Sequence, residues 1–290
     1  PYMMTIPTTS ILSEKAVTDD PTEGTGIGTG PWQIDSYEFG NYTKLVAFED
    51  SWRGAPNAKT FTFRYIPEDS ARLIALQNGE VDICMEPATI ELGTIEADPN
   101  LDLISYDGGS LSYFAFNTQK SPADNEDLRK AVAYGIDVDS IIAVAAEGRG
   151  KKATSFWGWN EYGFYDCGGY EYNPDKAKEY LEQSNYDGST LKLEYINSGM
   201  NEMICQMLQA YWGQIGVTVE LVGYDQMMGQ QEQYNADGFD ILLKTTGSTD
   251  YIVNQWKLCW DKRDYESLTG GAANFTQDDQ LQSLMEAALS

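Results

Sequence analysis

The sequence predicts an α/β protein of two lobes, and three observations support this prediction. The chain has 290 residues, which exceeds the ~100–200 residues typical of one domain. A β-hairpin and a strand–helix–strand pattern are predicted before residue 84. From Asn173 onward, predicted strands and helices alternate in the β-α-β-α-β order that is typical of a parallel sheet with right-handed crossovers.

The hairpin is predicted over residues 32–49, where apolar and polar residues alternate on both sides of a Phe39-Gly40-Asn41 turn. The glycine-rich stretch before it, residues 24–31, resembles a phosphate-binding loop. No Gly-Lys-Ser/Thr follows it, and the next element is a strand rather than a helix whose N-terminal amides bind phosphate. We therefore expect a turn there and not a nucleotide site.

The strand–helix–strand unit is predicted from the alternating aromatic residues of 58–66 and the stretch that follows. Asp69 or Ser70 is expected to cap a short helix. Asn78-Gly79 supplies a left-handed stop, and Val81–Ile83 is expected to resume as a strand.

The middle of the chain is predicted to hold strands at 101–105 and 110–118 and two amphipathic helices, the second capped by Asp137 and ended by Gly148. Residues 149–172 follow as an irregular loop dense in aromatic residues. Such a loop is expected at the surface, so its aromatic side chains need a role. They either cover the core of a neighbouring lobe or stack on a ligand.

The last regular region begins with a helix that has Asn173 as its cap and Pro174 at its first position. Strands are predicted at 191–196, 217–222 and 239–245, with helices at 200–216 and 224–238 between them. Ligands of open α/β sheets collect at the carboxyl ends of strands. The loops after Ile196, Val222 and Lys244 are therefore candidate ligand contacts.

Composition excludes several classes of function. The net charge of −26 repels nucleic acid and anionic membranes. The absence of histidine excludes Ser-His-Asp and Cys-His catalysis and zinc sites with histidine ligands. Enzymes that use paired carboxylates pass this test, but acidic residues are too abundant for any one pair to stand out. Neither a metal nor a cofactor is expected.

The four cysteines, Cys84, Cys167, Cys205 and Cys259, form no CxxC pair and no metal-binding spacing. Burial is the expected state of Cys84 and Cys205, and a single disulfide stays open. No apolar run approaches the ~18 residues that span a bilayer. The chain begins at Pro1 without a methionine or a recognisable signal segment, and we expect it to be a piece of a longer protein.

Six stretches, taken in order, resemble the family 5 extracellular solute-binding proteins, the dipeptide and oligopeptide receptors of ABC importers. Trp32 stands where the family usually has tyrosine, and Ser51-Trp52 replaces a Tyr-Trp pair. The stretches are GTGPW (28–32), the block from Phe48 to Ile83 that ends in IPEDSARLIALQNGEVDI, LSYFAFNT (111–118), DLRKAVAYGIDVDSII (127–142), NPDKAKEYL (173–181) and FDILLKTTGSTD (239–250).

The resemblance implies a periplasmic-binding-protein-like fold of type II, with two lobes of mixed sheets flanked by helices. It implies that residues 1–112 form the later part of lobe one and residues 113–290 the second lobe, with the crossing near 110–118. Flanking parts of the full protein would be missing. It further implies no enzymatic activity, because such receptors close around a ligand like a hinged trap.

The resemblance also implies candidate ligand contacts. In peptide-binding relatives an aspartate after the strand at 239–245 binds the ligand ammonium, and Asp250 is the nearest acid here, with Thr246 and Gly247 before it on the same loop. The ligand carboxylate needs a cation, for which Arg149 is a candidate together with Lys151 and Lys152. Trp157, Trp159 and Tyr162 are candidate pocket walls.

The expected ligand is a small peptide, held by strand-like main-chain hydrogen bonds. An oligosaccharide stacked on the tryptophans is the alternative ligand, and a carboxylate-dependent glycoside hydrolase is the alternative from another class. By resemblance, the partners are the permease subunits of an ABC transporter and the protein is a monomer. It is expected outside the cytoplasm, either periplasmic or at the cell surface as a membrane-anchored lipoprotein.

Overall fold

A computed structural model describes residues 10–106, 108, 110–118, 120–155, 158–159, 164–225, 228–229, 238–246 and 278–289. The chain divides into two compact units, Pro1–Ser105 and Tyr106–Ser290. The assignment of residues 1–112 and 113–290 to two lobes stays a prediction. The helices are α1 (Glu14–Asp19), α2 (Asp69–Gln77), α3 (Leu92–Ala97), α4 (Glu126–Tyr134), α5 (Val138–Ala145), α6 (Pro174–Gln183), α7 (Gly199–Ile215) and α8 (Asp279–Leu289), and the strands are β1 (Trp32–Glu38), β2 (Tyr42–Ala47), β3 (Thr60–Arg64), β4 (Leu111–Phe116), β5 (Leu191–Ile196), β6 (Val219–Tyr224) and β7 (Ile241–Thr246).

The first unit contains a three-stranded antiparallel sheet in the order β1-β2-β3. The predicted hairpin is confirmed, because β1 pairs with β2 from Trp32↔Ala47 to Glu38↔Tyr42. Gly40 in its turn has φ +73°, a left-handed conformation that favours glycine. β3 pairs with β2 on one side and is an edge strand of the sheet.

The helix predicted after β3 is confirmed as α2, with one difference at its start. Its N-cap residue is Glu68, whose side chain makes no capping hydrogen bond, rather than Asp69 or Ser70. Leu73 and Ala75 form its buried side. Gly79 has φ +71° and follows the C-cap Asn78, as the Asn-Gly stop predicts.

Two short strands predicted in this unit are wrong. Residues 81–83 and 101–105 have apolar side chains typical of strands, but neither segment forms a ladder in the structure. The physical reason is the absence of a pairing partner, since no described strand forms a ladder with either segment. A segment with a strand-like sequence forms a strand only when another backbone segment pairs with its N–H and C=O groups.

The second unit contains a four-stranded sheet in the order β4-β7-β5-β6. β5 is parallel to both β6 and β7, which confirms the predicted parallel arrangement. β4 is antiparallel to β7, with Leu111 opposite Thr246, so the sheet is mixed. The observed β6 and β7 lie about two residues further along the chain than the predicted strands.

The core of this unit lies between the sheet and the helices that cross it. Trp212 of α7 is fully buried, and its indole N–H donates to the Val132 carbonyl at 3.1 Å. Leu191 and Leu193 of β5 and Ile241 of β7 pack in the same cluster. The apolar face of α7 therefore fixes the helix layer against the parallel strands.

Side-chain caps start the helices of this unit where the sequence places cap residues. Asp137 accepts from the Ser140 N–H at 3.1 Å, and Asn173 accepts from the Lys176 N–H at 3.0 Å. Gly216 ends α7 in a left-handed conformation (φ 99°), as predicted. α5 ends at Ala145 rather than at Gly148. The helix predicted over 224–238 falls mostly outside the described residues.

None of the helices in the described part of the chain combines the length and the hydrophobicity that a membrane span requires. Of the cysteines, Cys205 is buried, Cys84 is half-buried and Cys167 is exposed, and all three are free thiols. Cys259 lies outside the described residues. The burial predicted for Cys205 is therefore confirmed, whereas the burial predicted for Cys84 is only partial.

Candidate ligand-binding site

The carboxyl ends of the parallel strands form one edge of the second unit's sheet. Ile196 at the end of β5 is opposite Tyr224 at the end of β6. β7 ends at Thr246, and because β4 is antiparallel, its first residue Leu111 lies beside that end. This edge, here called the strand-end edge, is the place where ligands of open α/β sheets collect.

Two hydroxyl groups meet at the strand-end edge. The Ser112 and Thr245 side-chain oxygens lie 3.1 Å apart in a cross-strand hydrogen bond, and both residues are exposed. Either hydroxyl donates to the other, so the pair keeps both donor and acceptor capacity for a further group. The antiparallel pairing of β4 with β7 brings the two together.

An exposed asparagine lies where β5 leaves the sheet. The Asn197 N–H donates to the Tyr224 carbonyl at 2.8 Å, which continues the ladder with β6 by one residue. A Cβ atom added to Gly223 would lie 2.0 Å from the Asn197 side-chain oxygen. The Asn197 amide therefore packs directly on the glycine backbone of β6, and a Cβ atom at residue 223 would require the Asn197 side chain to move.

The connection from β5 to α7 forms a turn at the strand-end edge. The Ser198 hydroxyl oxygen caps the helix by accepting from the Asn201 N–H at 3.1 Å. The Asn201 side-chain amide donates to the Ile196 carbonyl at 2.8 Å. These two bonds fix the β5–α7 connection, so Asn197 is presented from a rigid turn.

A second turn follows β6. Asp225 accepts from the Met228 N–H at 2.9 Å through its side chain and from the Gly229 N–H at 2.8 Å through its carbonyl. A Cβ atom on Gly229 would lie 2.5 Å from Ile196, so this turn packs closely on the end of β5. Asp225 is exposed and is the carboxylate closest in sequence to the carboxyl end of β6.

The predicted basic and aromatic loop forms a separate set of contacts. The Lys151 ammonium lies 3.9 Å from the centre of the Trp159 ring, a cation–π contact, and Trp159 is 48% exposed. Lys152 forms an ion pair of 3.1 Å with Glu171. The Cys167 N–H donates to the Thr154 carbonyl at 3.0 Å, so the two arms of the loop run beside each other.

The start of α5 lies close to the same lysine. The pKa of Asp137 is lowered by hydrogen bonds from the hydroxyl and the N–H of Ser140, and the charge of Lys152 contributes in the same direction. The Ser140 hydroxyl donates at 2.7 Å. Asp137 is thus a structural cap held in its charged form.

Of the predicted site residues, the structure describes three. Trp159 contacts Lys151, as above, and the Arg149 N–H donates to the Ala146 carbonyl at 2.7 Å in the turn after α5. Thr246 is the last residue of β7 and pairs with Leu111. Trp157, Tyr162, Gly247 and Asp250 lie outside the described residues. Whether the seven residues act together on a ligand stays a prediction.

Among the described residues, the strand-end edge offers neutral hydrogen-bonding groups and the carboxylate of Asp225. Within the described part of the chain, no group of three or more histidine, cysteine, aspartate or glutamate residues is placed to hold a metal ion. Hydroxyls and amides of this kind match the N–H and C=O groups of an extended peptide or the hydroxyls of a sugar.

Sequence reasoning identified the loops after Ile196, Val222 and Lys244 but did not single out the side chains that the structure places at the strand-end edge. Asn197 follows the predicted strand directly, and the topology rule that selected its loop could have selected it. Ser112 had no such signal, because the antiparallel pairing of β4 with β7 links residues far apart in sequence.

The sequence profile of the family described as bacterial extracellular solute-binding proteins, family 5, middle region, matches residues 1–263. Among curated proteins, the dipeptide-binding protein of Escherichia coli K12 is 29% identical over 223 residues, which are 73% of this chain and 41% of that protein. Heme-binding protein A of Haemophilus influenzae is 27% identical over 222 residues, which are 73% of this chain and 40% of that protein.

A solved structure gives the same fold. The ABC transporter-associated periplasmic binding protein DppA of Helicobacter pylori, in complex with the peptide STSA, has a TM-score of 0.84 at 23% identity, covering 99% of this chain and 58% of that one. The predicted periplasmic-binding-protein fold is thereby confirmed. The chain spans about two fifths of the length of these curated relatives.

Proposed function

Because the chain belongs to family 5 of the bacterial extracellular solute-binding proteins, we propose that the full protein is a receptor that captures small peptides outside the cytoplasm. The two lobes close around the peptide by a hinge motion. The loaded receptor then delivers the peptide to the permease subunits of an ABC importer. The family is one of binding proteins, which agrees with the expectation that the protein is not an enzyme.

The observation that carries the peptide assignment is the polar character of the strand-end edge. Ser112, Thr245 and Asn197 offer hydroxyl and amide groups held by the sheet and by the cap of α7. A buried peptide needs such partners, because each unpaired polar group costs ~1–3 kcal/mol. The names of the relatives, a dipeptide-binding protein and a peptide-bound DppA, favour the same ligand class.

The termini of the peptide need charged partners. We assign Asp250 to the ligand ammonium, with Thr246 and Gly247 as neighbouring contacts on the same loop. Arg149 is assigned to the ligand carboxylate. Trp157, Trp159 and Tyr162 are assigned to the walls of the side-chain pockets, and the half-exposed ring of Trp159 supports this role.

An oligosaccharide is the second candidate ligand, and the half-exposed ring of Trp159 is the observation that favours it. Lys151 covers one face of its ring at 3.9 Å. An exposed indole of this kind suits a sugar ring as well as an apolar side chain.

The family description, extracellular solute-binding proteins, supports a location outside the cytoplasm. We propose that the receptor is a monomer. It stays near its permease because it is confined to the periplasm or held at the membrane by a lipid anchor.

The ligand class is tested on the full-length protein by native mass spectrometry of the material that copurifies. A bound peptide supports the proposal, a bound glycan replaces it by the second candidate, and turnover of a glycan overturns the receptor assignment. Titration calorimetry with a dipeptide, a tetrapeptide and an oligosaccharide on ligand-free protein then gives the preference.

The residue assignment is tested by Asp250→Ala in the same calorimetry. The charged hydrogen bond to an ammonium is worth about 1.5–3 kcal/mol, so we expect affinity to fall about 10–150-fold. Unchanged affinity removes Asp250 from amine binding. Glu182→Ala, an exposed acid on α6, is the matched control and is expected to bind as the parent does.

A further inference from the structure

Three methionine side chains are exposed next to the strand-end edge. Met200 and Met203 lie in the first turns of α7, which follows β5, and each is 40% exposed. Met228 lies in the turn after β6 and is 45% exposed. A Cβ atom on Gly229 of that turn would lie 2.5 Å from Ile196 at the end of β5, so both connections adjoin the same strand end. The three side chains are called the methionine rim here.

The methionine rim is not part of the hydrophobic core. α7 buries one face through Cys205, Leu208, Trp212 and Ile215. At about 100° per residue, Met203 lies about 200° from Cys205, on the opposite side of the helix. Further along α7 the exposed positions include polar residues such as Gln206 and Gln214, as expected for the outer face of an amphipathic helix. Exposed methionines on this face therefore need a role other than packing.

The chemistry of methionine suits contact with a variable apolar group. Its side chain is unbranched and flexible, its thioether is polarisable, and its sulfur makes favourable contacts with aromatic rings. Small-molecule sites combine an apolar lining with a few placed polar groups. The strand-end edge has both parts, because Asn197 and the Ser112–Thr245 pair offer amide and hydroxyl groups beside the methionine rim.

The charge beside the methionine rim disfavours an acidic ligand group. The exposed Asp225 carboxylate accepts from the Met228 N–H at 2.9 Å, so it lies in the same turn as one of the methionines. The net charge of the chain is −26. A ligand carboxylate at this position would meet charge of its own sign and lose water without gaining a cation.

We propose that the methionine rim contacts a large apolar or aromatic side chain of the bound peptide and selects such peptides over acidic ones. The inference rests on the proposed function and adds the substrate class, short peptides with a residue such as phenylalanine, leucine or methionine. Asn197, Ser112 and Thr245 bind main-chain groups of the peptide, and the thioethers contact the side chain between them.

Titration calorimetry on the ligand-free, full-length protein tests the preference. The ligands are tetra-alanine and tetrapeptides in which phenylalanine or glutamate replaces one alanine at each position in turn. At one position or more, we expect phenylalanine to bind at least about tenfold more tightly than alanine, because more apolar surface is buried. Glutamate there should bind more weakly than alanine.

The outcomes separate this inference from the proposed function. Equal affinity for the alanine, phenylalanine and glutamate peptides overturns the selection by the methionine rim and leaves the receptor assignment intact. Failure of every peptide to bind overturns the receptor assignment and this inference with it.

Two triple variants assign the preference to the methionine rim. Glutamine at positions 200, 203 and 228 keeps the side-chain length but is polar, whereas leucine at the same positions keeps the apolar surface. We expect the ratio of phenylalanine-peptide to tetra-alanine affinity to fall about tenfold in the glutamine variant and to persist in the leucine variant. Leu284→Gln, at a 62% exposed position on α8, is the control and should keep the ratio of the parent. A ratio that survives in the glutamine variant overturns the inference.

Nuclear magnetic resonance of the parent protein tests the contact without a substitution in the measured sample. With ¹³C-methyl-labelled methionine, the phenylalanine peptide should shift the methyl signals of Met200, Met203 or Met228 through the ring current, relative to the tetra-alanine complex. Single Met→Leu variants assign the signals. No such shift at any of the three overturns the inference. Shifts that depend on protein concentration without peptide identify a second copy of the chain as the occupant and overturn it as well.

Discussion

Lys120 and Asp240 form an ion pair of 3.0 Å just before β7, and the Asp240 side chain is only 8% exposed. The second Asp240 carboxylate oxygen accepts from the Lys192 N–H at 2.7 Å. The carboxylate thus links Lys120, which follows β4, to the beginnings of β7 and β5. These groups lie at the end of the sheet opposite the strand-end edge.

Asp240→Asn is expected to lower the free energy of unfolding by about 1–3 kcal/mol, because it removes the charge while the amide oxygen can keep the bond to Lys192. Urea denaturation followed by circular dichroism measures the change. Glu126→Gln breaks an exposed ion pair with Lys130 and is the control, with no measurable change expected. Equal effects of the two substitutions would contradict a structural role of Asp240.

Trp212→Phe tests the core of the second unit. The substitution leaves the buried Val132 carbonyl without the indole N–H that bonds to it at 3.1 Å. We expect a loss of about 1–3 kcal/mol in the free energy of unfolding. Trp52 makes a similar bond, to the Thr29 carbonyl at 3.1 Å, but is 76% exposed. Trp52→Phe should therefore cost much less, and a comparable cost would argue against burial as the cause.

Gly223→Ala and Asn197→Ala form a double-mutant cycle at the strand-end edge. The new Cβ at residue 223 displaces the Asn197 side chain in the parent, but not once Asn197 is shortened. Gly223→Ala should therefore cost less in the Asn197→Ala background, by about 0.5 kcal/mol or more. The Tyr195 ring, 3.1 Å from the added atom, leaves a residual cost. Additive effects in denaturation experiments would show that the two residues do not contact each other.

Cys205 predicts a pH dependence of stability. Burial raises the pKa of its thiol from 9.0 to about 12. Between these values the unfolded chain loses a proton that the folded chain keeps, so stability falls as the pH rises from about 9 towards 12. At pH 10.5 this loss is about 2 kcal/mol.

Cys205→Ala removes this contribution, so its stability should fall less than that of the parent between pH 8 and pH 10.5 in urea denaturation. Cys167→Ala, at an exposed position, should follow the parent at both pH values. A parallel fall of the parent and the Cys205→Ala variant would show that the thiol does not titrate differently on folding.

Local signals account for the parts of the fold that were predicted. The Gly40 turn, the caps Asp137 and Asn173 and the stop at Gly216 each depend on neighbours within a few residues. The parallel order of β5, β6 and β7 follows from alternating elements, which the chain shows directly. These features needed no knowledge of distant contacts.

The features that were not predicted depend on distant partners. Residues 81–83 look like a strand, but pairing depends on a neighbour that composition does not reveal. The packing of Asn197 on Gly223 depends on the register of β5 and β6. The Ser112–Thr245 pair depends on β4 adding antiparallel to a parallel sheet. The local sequence specifies none of these three arrangements.

The pairing of β4 with β7 also has a consequence for folding. Ser112 and Thr245 are 133 residues apart in the chain, and β7 is the only strand described beside β4. Closing so long a loop costs conformational entropy before the pairing stabilises the chain, and contacts between residues far apart in sequence slow folding. The connection from β5 to β6 is much shorter. We therefore expect β5 and β6 to pair first and β4 to join the sheet late.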